Sequence, residues 1–163
     1  MRYFWPIITL IAAAGLQGNL PGFISIWGAK PDLVLVVLVS YSLAADPAFG
    51  AALGFVAGLL QGSLVGLSLG SFIITRTITG FLAGLVTTRL FSENPLVPML
   101  SAVWLTVVCE VLFLLGNPRP DLVIVARKIA GECLGNAIFT LFVYFALRNL
   151  DIRRKIRLAN ARL

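Results

Sequence analysis

The chain has 163 residues, enough for one domain. Hydrophobic residues make up 59% of it and charged residues 12%, too few charges to clothe a soluble domain, and the mean hydropathy of +0.96 fits a chain whose solvent is lipid. The net charge of +6 does not indicate a nucleic-acid surface: Arg153, Arg154, Lys155, Arg157 and Arg162 all follow the last apolar stretch, and no folded surface with aromatic platforms remains elsewhere.

Residues 3–20 form the first apolar segment, uncharged between Arg2 and Lys30. Its basic start and the small residues Ala12, Ala13 and Ala14 also fit a secretory signal, but further apolar segments follow, which favours an uncleaved first helix. Leu20-Pro21-Gly22 breaks it, and residues 22–29 are expected at the membrane interface. The second segment, 33–45, opens after Pro31-Asp32 and is short and rich in valine. Alone it could be a strand, but an open strand edge is untenable in lipid, so a short or tilted helix is expected.

The third segment carries the clearest pattern. Gly50, Gly54, Gly58, Gly62, Gly66 and Gly70 recur every four residues, and on a helix Gly50 to Gly62 make a smooth groove for another helix. Packing within the chain is the preferred reading over a homodimer face; Gly66, Ser68 and Gly70 are assigned to the turn. Residues 69–88 make the fourth segment, interrupted by Arg76, with Gly80 and Gly84 again spaced for packing. The fifth, 96–116, contains Glu110; the breaker Asn117-Pro118-Arg119-Pro120-Asp121 precedes the sixth, about 122–147.

The expected architecture is all-α: a polytopic bundle of about six spans over residues 1–148, then a basic tail, 149–163. Six spans put both termini on one side. Arg2, Arg89 and the tail assign that side to the cytoplasm, where Arg153, Arg154, Lys155 and Arg157 would meet anionic lipid, while Lys30 and Arg119 fall outside.

Ionisable groups within spans are costly and therefore candidates for function. Arg76, Glu110, Arg127 and Lys128 fall at a common depth, about 10 Å from the outer helix ends at 1.5 Å per residue, with Glu132 and Asn136 somewhat deeper. One reading is a polar network that fixes helix register, with Glu110 pairing Arg76 or Arg127 and Lys128 snorkelling outward. The other is an outward-facing polar cavity or partner-docking site. Glu110 and Glu132 lack a companion nucleophile or metal site, and Ser63, Ser68 and Ser71 lack any histidine, so no catalytic role is expected. Cys109 and Cys133 form no Cys-x-x-Cys pair, which removes the usual metal and redox constellations and leaves no cofactor expected. They read as small apolar residues or as a disulfide, which the sequence leaves open.

Lys30-Pro31-Asp32-Leu33-Val34-Leu35 resembles the start of the second helix in the rod shape-determining MreD family. The run from Gly54 to Ser63, followed by Gly66-Leu67-Ser68-Leu69-Gly70, is similar too, as are Glu110 in the fifth helix and Asn136 in the sixth. Two positions depart from the pattern: Gly62 stands where the family commonly has an aspartate, and Arg76 is unusual within the fourth helix. The resemblance spans about residues 30–144. It implies a non-enzymatic membrane scaffold of the bacterial elongation machinery that binds the bitopic protein MreC. Through it, the scaffold would connect MreB filaments to wall synthases, a glycosyltransferase and a penicillin-binding protein. The family is also similar in fold to the substrate-binding membrane subunits of vitamin transporters, which makes a small-solute-binding subunit the alternative.

Overall fold

Among the described residues of the computed structural model, six α-helices follow one another: α1 (Phe4–Gln17), α2 (Leu33–Ser42), α3 (Pro47–Val65), α4 (Leu69–Leu90), α5 (Leu96–Gly116) and α6 (Leu122–Asn160). The structure describes residues 4–90 and 96–160, with side chains described over 4–86 and 96–146. The protein is an all-α membrane bundle. Among the described residues, four helices are long and apolar enough to cross a bilayer: Pro47–Val65, Leu69–Val86, Leu96–Gly116 and Leu122–Ala146. The expected six spans are not carried by helix length, because α1 has 14 residues and α2 has 10.

The shortness of α2 has a physical reason. Ten residues rise about 15 Å, half the hydrocarbon thickness, and α2 packs against each of the other five helices. Residues 34–40 and Ser42 are buried, so the helix has no face to show to lipid. A helix that is apolar all round belongs in an interior. Asp32 starts it by accepting a hydrogen bond from the Leu35 amide at 3.0 Å. From α1, Gln17 accepts from the Leu33 amide at 2.7 Å and donates to the Pro31 carbonyl at 3.0 Å. The loop before α2 also presses on α6. At Gly131 a Cβ would collide with the Ile26 carbonyl, and at Gly135 it would lie 3.0 Å from Pro31.

α3 and α4 form the tightest pair. Asp46 caps α3 through the Phe49 amide at 2.8 Å, with Pro47 in the first turn. Gly66 ends it in the left-handed conformation, φ 72°. In between, Gly50 faces the backbone of Gly80, and Gly54 faces that of Arg76. A Cβ on Gly58 would lie 2.5 Å from the Phe72 carbonyl oxygen, and one on Gly62 would lie 2.7 Å from the Leu69 side chain. At Gly50, Gly54 and Gly58 backbone meets backbone with no side chain between them. Gly70, assigned to the turn from sequence, is instead the second residue of α4.

Large apolar side chains cover the outside, among them Ile74, Ile78 and Phe81 of α4 and Trp104, Val107 and Val111 of α5. Arg76, Glu132 and Asn136 are buried. Apolar residues outside and charge inside is the arrangement hydrocarbon favours.

Candidate functional site

A helix interior holding arginine needs a counter-ion, and here Asp32 supplies it. The Arg76 guanidinium, 3% exposed, forms an ion pair with Asp32 Oδ2. Its Nε donates to Gln61 Oε1 at 2.9 Å, and a terminal nitrogen donates to Cys109 Sγ at 2.9 Å. Gln61 Nε2 closes the ring by donating to Asp32 Oδ2 at 3.2 Å. Because the other Asp32 oxygen caps α2, one carboxylate starts the central helix and neutralises α4. Its negative charge also lies at the helix end that favours an anion.

Asn136 of α6 holds this junction from the opposite side. Its Oδ1 accepts from the Asp32 amide at 2.7 Å, and its Nδ2 donates to Thr106 Oγ1 of α5 at 3.0 Å. The Thr106 hydroxyl in turn donates to the Ala102 carbonyl at 2.7 Å. Asn136→Ala strands a buried amide donor beside Asp32 and should lower stability by about 1–3 kcal/mol, read as a lower melting temperature in detergent. An unchanged melt would remove this amide from the account.

The junction floors a cavity of about 410 Å³ between α3, α4, α5 and α6. Glu110, Glu132 and Lys128 line its wall, with Lys128 and Glu132 paired at 3.2 Å. Phe72 and Phe113, with ring centroids 4.9 Å apart, give it an apolar side. Lys30, Arg119 and Asn117 stand at the mouth, where Asn117 accepts from Ser68 Oγ at 2.6 Å and donates to Ser71 Oγ at 2.9 Å. These two bonds fasten the α3–α4 turn to the end of α5.

Residues 1–150 match the family described as rod shape-determining protein MreD. The chain belongs to the MreD family. It is accordingly a multi-pass, cell-shape-determining membrane protein. No curated protein and no solved structure matches it. The match runs through all four long helices and the junction they enclose, so the charged cavity lies within the MreD domain.

The structure divides the polar residues singled out from sequence. Arg76, Glu110, Lys128 and Glu132 line one cavity, and Asn136 lies beneath it against Asp32. Arg127 does not join them: it is exposed on α6 and outside the cavity lining. The expected pairing of Arg76 with Glu110 is corrected. Arg76 pairs with Asp32, because α2 begins deep in the bundle and brings its capping carboxylate to α4. Glu110→Ala therefore leaves Arg76 paired. Sequence reasoning reads Asp32 as a turn marker and, with Gln61, as part of the stretches that resemble the family, without giving either a role in the polar cluster, and it leaves out Gln17 and Thr106. Cys109 and Cys133 are both buried free thiols. The side chains of Arg153, Arg154, Lys155 and Arg157 lie outside the described ones, although the backbone of α6 continues as helix through them.

Proposed function

We propose that this MreD-family protein is a non-enzymatic scaffold of the bacterial cytoplasmic membrane, with both termini inside. It binds an MreC-like bitopic protein and, with it, links MreB filaments to wall synthases, a glycosyltransferase and a penicillin-binding protein. The family match over residues 1–150 is the observation that carries this reading. Two features of the bundle support it. Leu100, Trp104, Val107 and Val111 recur along one exposed apolar face of α5, a surface suited to a partner's single transmembrane helix. α6 has 39 residues, and its length of about 58 Å is roughly twice the hydrocarbon thickness. Such a length fits a far end outside the hydrocarbon, where Arg153, Arg154, Lys155 and Arg157 would meet anionic headgroups.

Depletion of the protein should convert rod-shaped cells to round ones, and affinity purification from gently solubilised membranes should recover an MreC-like protein. Rods that persist on depletion contradict the scaffold. A preparation that instead brings down a vitamin-like solute and an energising ATPase points to the solute-binding subunit of a transporter.

A further inference from the structure

The charges around the cavity do not cancel in place. Asp32 and Arg76 neutralise each other at the floor, and Lys128 and Glu132 do so on the wall. Glu110 lines the same wall, and no cation is paired with it among the described residues. Two carboxylates, Glu110 and Glu132, line one cavity, and its lysine, Lys128, is paired with only the second of them, which leaves a place for another cation. At the mouth the imbalance has the opposite sign. Lys30 and Arg119 are exposed and line the rim, and neither is paired with a carboxylate among the described residues. Phe72 and Phe113 provide an apolar wall that suits methylene groups.

We propose that this cavity binds a small zwitterion, its primary ammonium seated between Glu110 and Glu132 and its anionic group held by Lys30 and Arg119. Pockets of 300–1,000 Å³ typically enclose small ligands, and about 410 Å³ accommodates an aminoalkyl phosphate. The same chemistry occurs on an aminophospholipid headgroup and on a free aminoalkyl phosphate. This binding site goes beyond the scaffold reading and does not rest on it.

The test uses the full-length protein. In detergent, it is titrated with O-phosphoethanolamine, with ethanolamine and with glycerol 3-phosphate, which lacks the amine. In nanodiscs of mixed phosphatidylethanolamine and phosphatidylglycerol, retained lipid is identified by native mass spectrometry. Binding of O-phosphoethanolamine but not glycerol 3-phosphate assigns a soluble ligand, whereas selective retention of phosphatidylethanolamine alone assigns the headgroup. Either result supports the site.

Glu110→Gln should weaken the binding seen at least tenfold, because it removes a charge-assisted contact to the ammonium. Arg119→Gln lies at the exposed rim and keeps the proposal testable even where Glu110→Gln folds poorly. It should weaken O-phosphoethanolamine or phosphatidylethanolamine binding while leaving that of ethanolamine unchanged. The proposal is overturned when neither source binds, when the amine-free probe or phosphatidylglycerol binds equally well, or when Arg119→Gln behaves as wild type toward every ligand.

Discussion

Asp32→Asn should cost the bundle about 3–5 kcal/mol, the loss typical of removing one member of a buried ion pair. The substitution is nearly isosteric. An asparagine oxygen can still accept from the Leu35 amide, as Asp32 Oδ1 now does at 3.0 Å, so the α2 cap survives and only the charge goes. Arg76 is then left 3% exposed with two neutral partners, Gln61 and Cys109. Glu110 and Glu132 also attract Arg76, but neither forms an ion pair with it, so they soften the loss without replacing the partner. A denaturant or thermal melt in detergent reads the effect. A midpoint equal to wild type would mean that Arg76 is neutralised elsewhere.

The second large effect belongs to the α3–α4 pair. Gly54 lies against the backbone of Arg76 and Thr77, where a Cβ on Gly54 would be 2.9 Å from the Thr77 Cα. Backbone cannot rotate aside as a side chain can. Gly54→Leu must therefore push α4 outward and with it the guanidinium that meets Asp32. Overpacking usually costs about 1–3 kcal/mol, and a collision with backbone should reach or exceed the top of that range. Gly15 of α1 provides the contrast, since nothing lies within 4 Å of its added Cβ. Gly15→Ala should leave stability unchanged or raise it by up to about 1 kcal/mol, as for a helix glycine in open surroundings. Equal melts for Gly54→Leu and wild type would show that the two helices are not held at backbone contact.

Several parts of this fold were legible because local chemistry alone decides them. The four-residue glycine spacing gives close approach on any helix, and the Asn117-Pro118-Arg119-Pro120-Asp121 breaker separates α5 from α6 wherever the chain lies. Asp32 was not legible in that way. Its dipeptide with Pro31 has the look of punctuation, and its pairing with Arg76 depends on a contact across 44 residues. One signal did exist. Val34 to Val39 has no polar stripe, which implies a helix buried on all sides and hence a buried capping carboxylate in need of a cation. Counting residues inward from the ends of the long helices gives no place to Asp32, which starts the short helix α2, and it says nothing of rotation about the axis. Arg127 and Lys128 are adjacent in sequence, yet only Lys128 reaches the cavity. Gln61 and Gln17 were hidden because an amide in an apolar segment gains meaning only from its partners.

A double-mutant cycle on Asp32→Asn and Arg76→Met tests the central claim most directly, with unfolding free energies measured for both single variants and the pair. Direct pairing at the start of α2 predicts strong coupling: each single change destabilises, and the double variant recovers at least about 2 kcal/mol relative to their sum. Additive losses would contradict it, because the two residues would then stabilise the bundle independently of each other.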